Sequence, residues 1–172
     1  MTAAQTQLWL PDADATRHLG RRLAGVLRPG DVLLLSGELG TGKTELARAI
    51  IQTILAAAGL AEDVPSPTYT LVQTYSDGRN EIWHADLYRV LVPDEIAELG
   101  LEDAFDTAIC LIEWPERIGR GFPPGAVWLR LYHDGGREGR LLRIEIPDDC
   151  PERLKTVLAE AAHDHPLPPP DP

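Results

Sequence analysis

Residues 37 to 44 read Gly-Glu-Leu-Gly-Thr-Gly-Lys-Thr and match the phosphate-binding pattern G-x-x-x-x-G-K-[ST]. The glycines allow a loop whose backbone N–H groups surround anionic oxygens, and the helix that follows points its positive end at the same place. Lys43 is positioned to hold the β- and γ-phosphates, and Thr44 to offer its hydroxyl to Mg²⁺. The segment therefore predicts a nucleoside triphosphate site with contacts from Gly37, Glu38, Leu39, Gly40, Thr41, Gly42, Lys43 and Thr44.

The absence of two known sequence motifs limits which base the nucleotide carries. Guanine-specific domains of this class usually carry Asn-Lys-x-Asp, whereas the sole asparagine is Asn80, within a predicted hairpin. The Leu-Ser-Gly-Gly signature of transporter ATPases is also missing. ATP is the favoured ligand, and the presence of one of only two lysines at position 43 strengthens the assignment of the loop.

Two acidic residues could work beside the triphosphate. Glu113 follows the apolar run 108–112, at the end of a predicted buried strand, where open α/β sheets bind their ligands. A carboxylate there could organise the Mg²⁺ shell, and the alternative is a strand-end glutamate that faces solvent. Asp86 shares one face of a predicted strand with His84, because side chains alternate along a strand. Asp86 could ligate Mg²⁺ or orient a water molecule, and the alternative is a hydrogen-bonded surface pair of His84 with Asp86.

A short hydroxyl-rich segment, Ser66-Pro67-Thr68, follows the predicted helix of the phosphate loop. Hydroxyls on both sides of a proline are common in simple turns. A loop in this position is also where sensors of the γ-phosphate lie. Both interpretations stay open from these residues alone.

The elements that must position these residues are predicted from apolar spacing and turn residues. Strands are predicted at 8–10, 32–35, 70–76, 81–88, 108–114, 126–133 and 140–146, and helices at about 14–27, 45–58, 93–99 and 151–162. Alternating strands and helices without a linker or repeat indicate one α/β domain over residues 1–162. Residues 163–172, rich in proline, are predicted to form a flexible tail.

Composition excludes several classes of function. The 172 residues carry 16 Lys and Arg against 27 Asp and Glu, a net charge of −11, which disfavours tight, direct binding of nucleic acid. No apolar run is long enough for a membrane span, and the N-terminus lacks a secretory pattern. The two cysteines form no CxxC pair and are predicted to be unreactive thiols in a reducing compartment, by default the cytoplasm.

The series GELGTGKT, SPTYTLVQTY, HADLYR and LIEW resembles the bacterial TsaE family, ATPases of tRNA threonylcarbamoyladenosine biosynthesis. The resemblance implies a P-loop NTPase-like three-layer domain, with a mixed, largely parallel sheet core and added β-hairpins. It also implies ATP, Mg²⁺, the cytoplasm and two larger partners of the TsaD and TsaB type. Those partners would transfer a threonylcarbamoyl group to adenosine 37 of tRNAs that read codons beginning with A, whereas the ATPase would not carry the group.

The same resemblance assigns roles to individual residues. Ser66, Pro67 and Thr68 would form a nucleotide-responsive switch, and Trp114 would lie near the nucleotide, although a core or edge anchor is its alternative. The catalytic set would be Asp86, Glu113 and Lys43, and the Mg²⁺ ligands Thr44, Glu113 and Asp86. Two departures from the family pattern are Glu45, where a threonine is common, and Tyr69, where a phenylalanine is common.

Weak hydrolysis by the isolated chain is expected, with stimulation by the partners. Phosphoryl transfer often needs an arginine supplied from elsewhere, and no motif places an arginine at the γ-phosphate. Arg89 is a candidate, and a surface salt bridge is its alternative.

Two other functions fit the same loop. One is a small-molecule or nucleotide kinase whose lid would use arginines; the candidates are Arg117, Arg120, Arg137 and Arg140, which are also typical of solvated loops and hairpin tips. The other is a non-hydrolytic switch that binds ATP in order to dock on a partner.

Overall fold

One seven-stranded sheet organises residues 4–169, the part of the chain that the computed structural model describes. Its strands are β1 (Ala4–Leu10), β2 (Val32–Gly37), β3 (Val72–Ser76), β4 (Glu81–Asp86), β5 (Ile109–Glu113), β6 (Val127–His133) and β7 (Arg140–Ile146). Their order across the sheet is β1-β7-β6-β2-β5-β4-β3. All seven predicted strands are confirmed, with ends that differ by a few residues.

The centre of the sheet is parallel and both edges are antiparallel. Strands β4, β5, β2 and β6 run parallel, whereas β3 pairs antiparallel with β4, and β7 with β6 and β1. Every residue of 32–35 is buried, as a central strand that is covered on both faces requires. The carboxyl ends of the four central strands therefore meet at one edge of the sheet.

Five α-helices within residues 4–169 cover the sheet, three on one face and two on the other. They are α1 (Ala13–Ala24), α2 (Lys43–Ala57), α3 (Pro93–Ala97), α4 (Leu101–Thr107) and α5 (Glu152–Asp164). Helices α1, α2 and α5 share a core with Leu33 and Leu35, and α3 and α4 share the opposite core with Val32 and Leu34. The expected three-layer α/β architecture is confirmed.

One helix was missed by the sequence patterns. The predicted helix 93–99 ends at Ala97, and α4 begins after Gly100, which adopts a left-handed φ of 75° that breaks the first helix. Leu101, Ala104 and Phe105 bury the inner face of α4 at helical spacing, so the signal was present. The break at Gly100 hid this signal, because two short helices have too few turns to show a clear helical spacing of apolar residues.

The predicted domain boundary at 162 falls inside α5, which continues to Asp164. Beyond the helix, the N–H of Trp9 donates to the carbonyl of His165 at 2.9 Å. Arg137 also donates to the carbonyl of Pro169 at 3.0 Å. Residues 170–172 lie outside the described part of the chain, so the flexibility of the tail stays a prediction.

Both cysteines are buried and unpaired. Burial raises the pKa of the Cys110 thiol to about 12 and that of Cys150 to about 11. Thiols with such pKa values carry almost no thiolate at neutral pH. Among residues 4–169, no helix is long and apolar enough to cross a membrane.

Candidate functional site

The glycine-rich loop lies between the end of β2 and the start of α2. Gly37 has a φ of 141°, and a Cβ at this position would lie 2.4 Å from the Leu131 carbonyl oxygen on β6. Only glycine fits there, because the loop begins in contact with the neighbouring strand. Thr41 is buried and its hydroxyl donates to the carbonyl of Glu38 at 2.9 Å, which closes the loop on itself.

Lys43 projects its ammonium group back into the loop. Its Nζ donates to the carbonyls of Gly37 at 2.6 Å and Glu38 at 2.7 Å, and lies 4.3 Å from the centre of the Trp114 ring. Burial lowers the pKa of Lys43, while the charges of Glu113 and other nearby carboxylates oppose that shift. A buried ammonium group that is bound mainly by carbonyl oxygens favours the binding of an anionic ligand.

Glu113 is fixed from two sides at the end of β5. The hydroxyl of Thr44 lies 3.0 and 2.9 Å from its two carboxylate oxygens. Nε2 of His84, on the neighbouring β4, lies 2.7 Å from Oε1 of Glu113. His84 is fully buried, so the suggested surface pair of His84 with Asp86 is wrong, because the ring turns to the adjacent strand and contacts Glu113.

Asp86 ends β4 directly beside Glu113 in the sheet register. Its Oδ2 accepts hydrogen bonds from Ser66 at 3.2 Å and Thr68 at 3.3 Å, and its Oδ1 accepts the N–H of Tyr88 at 3.0 Å. The two hydroxyls of Ser66 and Thr68 lie 2.8 Å apart. The segment is thus more than a simple turn, since both hydroxyls meet a carboxylate of the pocket.

The loop that carries these hydroxyls is held by a few anchors. Pro67 and Val64 are buried, and the carbonyl of Val64 accepts a hydrogen bond from Arg48 at 2.8 Å. The N–H of Leu71 donates to Pro67 at 2.8 Å, and the carbonyl of Leu71 accepts the N–H of Asp86 at 2.9 Å. Ser66 itself remains exposed.

These groups surround one pocket of about 330 Å³. Its lining residues are Leu39, Gly40, Gly42, Lys43, Thr44, Glu45, Arg48, Ser66, Thr68, Asp86, Glu113 and Trp114. The remaining predicted residues do not line this pocket: the carbonyls of Gly37 and Glu38 accept hydrogen bonds from Lys43, and Thr41 and Pro67 are buried. The structure therefore brings together the four sequence segments that were singled out separately.

A second pocket of about 470 Å³ lies on the other side of the loop and shares Gly40, Gly42 and Glu45 with the first. The start of α1 and the base of the β6–β7 hairpin complete it. Arg140 is half-buried there and donates to the Gly40 carbonyl at 3.2 Å. The expectation of a solvated hairpin arginine is wrong for Arg140, because the hairpin folds back against the loop.

Trp114 adopts a left-handed backbone conformation, with φ 58°, directly after Glu113. Such a conformation costs a non-glycine residue roughly 1–3 kcal/mol and is concentrated at functional sites. Its N–H donates to the carbonyl of Leu35 at 3.1 Å, and its ring packs against Tyr88 at 4.8 Å between centroids. The half-buried ring faces the pocket and Lys43, rather than serving only as a core anchor.

The two departures from the family pattern have structural explanations. Glu45 forms ion pairs with Arg17 at 2.7 Å and Arg48 at 3.2 Å, so its negative charge beside the pocket is balanced. Tyr69 is 82% exposed, and the guanidinium of Arg89 stacks on its ring at 4.4 Å. Sequence reasoning missed Arg48, although it lies one helical turn after Thr44, and missed the contact of His84 with Glu113.

The oxygen-rich donor set suits one kind of metal. Within residues 4–169, no cluster of three or more His, Cys, Asp and Glu side chains could hold a metal ion. The predicted set is instead one hydroxyl and two carboxylates, from Thr44, Glu113 and Asp86. Mg²⁺ accepts such sets when phosphate oxygens and water complete its shell.

Comparisons with known proteins give one consistent result. The sequence model of the family described as Threonylcarbamoyl adenosine biosynthesis protein TsaE matches residues 10–141. The TsaE proteins of Rickettsia felis and Haemophilus influenzae are 40% and 37% identical to this chain over 124 and 142 residues. These alignments cover 72% and 78% of this chain, and 71% and 87% of the relatives.

The fold has a counterpart among solved structures. The crystal structure of Bacillus subtilis YdiB superimposes with a TM-score of 0.70 at 24% identity, over 96% of this chain and 99% of that one. At this identity the likeness concerns the fold. The same arrangement of layers and strands thus exists in an experimentally determined protein.

Proposed function

The chain belongs to the TsaE family of tRNA threonylcarbamoyladenosine biosynthesis proteins, and from that premise we propose that it is a magnesium-dependent ATPase. Hydrolysis of ATP would drive the partner complex that modifies adenosine 37 in tRNAs reading codons that begin with A. The observation that carries the proposal is the single pocket shared by Lys43, Thr44, Asp86 and Glu113.

Triphosphate binding is supported by the loop and its lysine. The ammonium group of Lys43 is buried, and a polyphosphate would neutralise it within hydrogen-bonding reach of the loop N–H groups. Trp114 borders the same pocket beside Lys43. The second pocket, next to Gly40 and Gly42, offers space for the nucleoside of ATP.

Thr44, Glu113 and Asp86 would hold Mg²⁺, which supplies charge neutralisation at the phosphates when bound. Thr44 and Glu113 already lie within hydrogen-bonding distance of each other. The hydrogen bond from His84 keeps Glu113 oriented toward the pocket rather than toward the core.

Asp86 is the candidate for orienting the attacking water or accepting its proton. Its carboxylate borders the pocket and accepts hydrogen bonds from hydroxyls of an exposed loop. A movement of that loop would therefore alter the hydrogen bonds of the Asp86 carboxylate. Arg48, the other cation of the pocket, is bound by Glu45 and the carbonyl of Val64. The one arginine among the described residues that line the pocket is therefore already bound, so we expect weak hydrolysis by the chain alone and stimulation by cytoplasmic partners of the TsaD and TsaB type.

A phosphate-release assay with Mg²⁺ and ATP tests the proposal, with and without the purified TsaD- and TsaB-type proteins of the same genome. Slow release that increases with the partners is expected, together with loss of release in Lys43→Ala. ADP formation that requires an added acceptor, without free phosphate, would indicate a kinase instead. ATP binding without turnover under any condition would indicate a docking switch.

A further inference from the structure

The β6–β7 hairpin forms two hydrogen bonds to consecutive carbonyls of the glycine-rich loop. Nε2 of His133, the last residue of β6, donates to the carbonyl of Leu39 at 3.2 Å. The guanidinium of Arg140, the first residue of β7, donates to the carbonyl of Gly40 at 3.2 Å. Neither donor lines the pocket of about 330 Å³ that would hold the phosphates. The hairpin therefore contacts the loop from outside the phosphate pocket.

The direction of these two carbonyls fixes the direction of the N–H groups that follow them. In a planar trans peptide, the C=O of one residue and the N–H of the next point in opposite directions. The bond to the Leu39 carbonyl therefore directs the N–H of Gly40 away from the hairpin. The bond to the Gly40 carbonyl does the same for the N–H of Thr41, which meets the Glu38 carbonyl at 3.4 Å. Because Gly40 lines the phosphate pocket and the hairpin does not, this orientation suits donation to phosphate oxygens.

The tip of the loop has little packing of its own to fix this orientation. Gly40 has a φ of 76°, and a Cβ there would meet no atom within 4 Å, so no close contact restrains its backbone. The neighbouring Leu39 is 63% exposed. If either peptide rotated, a carbonyl oxygen would face the phosphates in place of an N–H, and like charges would repel. Contacts from outside the loop therefore help to decide whether it can bind an anion.

The hairpin is itself held at its base and beside the C-terminal segment. Gly139 has a φ of 104°, and a Cβ there would lie 2.6 Å from the ring of Trp9 and 2.7 Å from the carbonyl oxygen of Leu10. The base of the hairpin thus packs closely against the end of β1. Nearer the tip, Arg137 donates to the carbonyl of Pro169 at 3.0 Å. A hairpin that is held on these sides can restrain the loop that it contacts.

We propose that His133 and Arg140 are positioning residues of the nucleotide site. They hold the carbonyls of Leu39 and Gly40 on the hairpin side of the loop and so present the loop N–H groups to the phosphates. This inference rests on the proposed function, because it specifies how the loop is kept ready for a triphosphate. Arg140 also lines the second pocket, so the competing role for its side chain is direct contact with the nucleoside.

The variants Arg140→Ala and His133→Ala, alone and combined, test the two hydrogen bonds by calorimetric titration of the full chain with Mg²⁺ and ATP. Loss of either bond should raise the Kd about threefold to tenfold, and loss of both should raise it further. Arg140→Lys keeps a donor and should recover most of the affinity. Matched controls are Arg143→Ala, an exposed arginine on the same strand that lies over Tyr132, and His163→Ala, exposed on α5. Both controls should stay within about twofold of the parent.

Titration with Mg²⁺ and inorganic tripolyphosphate separates positioning from direct contact with the nucleoside. Tripolyphosphate has no nucleoside, so positioning predicts that Arg140→Ala weakens its binding by the same factor as that of ATP. A loss of affinity seen with ATP and absent with tripolyphosphate would place Arg140 against the nucleoside and overturn the inference.

Hydrogen exchange of the free protein examines the loop without any ligand. Peptides that cover residues 37–44 should exchange about threefold faster or more in the double variant, whereas peptides from α5 should not change. Equal exchange of the loop in parent and double variant would overturn the inference, and so would faster exchange throughout the chain, which indicates a general loss of stability. If exchange of the loop alone increases but the parent binds neither ATP nor tripolyphosphate, the positioning stands and the proposed function fails.

Discussion

The two strand-end carboxylates of the pocket, Glu113 and Asp86, differ in what holds them. Glu113 is bound by His84 from β4 and by Thr44 from α2, so both of its partners belong to regular elements of the core. Asp86 is bound by Ser66 and Thr68, which lie on a loop. The sheet and α2 thus position the carboxylate of Glu113, whereas a loop that faces solvent positions the carboxylate of Asp86.

This difference separates two tasks within one pocket. A carboxylate fixed by packed elements keeps its geometry whether or not a ligand is present, which suits binding of a metal and phosphates. A carboxylate whose hydroxyl partners lie on an exposed loop changes its surroundings when the loop moves, which suits a response to the nucleotide. We call the glycine-rich loop, Lys43 and Glu113 the fixed side of the pocket. We call Ser66, Thr68 and Asp86 the loop side.

The largest effect is expected on the fixed side, from Lys43→Ala. Removal of a buried cation that pairs with phosphates should weaken ATP binding by about 10³-fold, corresponding to about 4 kcal/mol. Isothermal titration calorimetry with Mg²⁺ and ATP measures the change. The control is Lys155→Ala, at an exposed ion pair far along the chain. Equal affinities for parent and Lys43→Ala would remove the lysine from the site.

Gly37→Ala tests whether the fixed side is rigid. The added methyl would lie 2.4 Å from the carbonyl of Leu131, so the loop or β6 must shift, and the free energy of unfolding should fall by about 3 kcal/mol. Gly40→Ala is the matched control, because its φ is also positive but its Cβ would meet open space. The control should lose only about 1–2 kcal/mol. Chemical denaturation that gives equal losses for both would contradict a rigid start of the loop.

Asp86→Asn against Glu113→Gln compares the two carboxylates directly. Loss of the Asp86 charge should lower the rate of phosphate release by about 100-fold while ATP affinity changes little, if Asp86 acts on the water. Glu113→Gln should mainly raise the Mg²⁺ concentration needed for half-maximal release. If both variants change the rate of phosphate release and its Mg²⁺ dependence in the same way, the proposed division of tasks is wrong.

Ser66→Ala/Thr68→Val tests the loop side without removing a charge. Loss of both hydroxyl contacts to Asp86 should lower partner-stimulated release by about tenfold, since each hydrogen bond to a carboxylate contributes about 1 kcal/mol or more. ATP affinity of the isolated chain should stay within about twofold. Thr70→Val, an exposed hydroxyl on the same loop, is the control. A change confined to ATP affinity would place these hydroxyls with the fixed side instead.

The smallest effect concerns pH. Burial lowers the pKa of Lys43 in the free protein, whereas bound phosphates favour its ammonium form. ATP affinity is therefore highest where Lys43 is already protonated, and should fall as pH rises through this lowered pKa, below the usual 10.5. Titrations at several alkaline pH values measure the decline. Lys43→Arg, which keeps its charge, should show a flat profile over the same range.

The sequence predicted the fixed side better than the loop side. Residues 37–44 are contiguous, and their spacing alone specifies a phosphate-binding loop. The end of a buried apolar strand similarly indicated where Glu113 would lie. For Ser66 and Thr68 the same residues fit a simple turn or a sensor, because a contact with Asp86 across twenty positions of the chain has no local signal.

Sequence by itself determined the strands, the glycine-rich loop and the two acids, because alternation, apolar runs and backbone requirements are local properties. Only the tertiary structure decided that His84 contacts Glu113, that Arg17 of α1 balances Glu45, and that Arg140 meets the glycine-rich loop. These pairings join separate elements, and their geometry depends on how α1, α2 and the β6–β7 hairpin pack around the sheet. Packing also decided which apolar side chains stay exposed, since Leu91 and the buried Ile96 are equally apolar in the sequence.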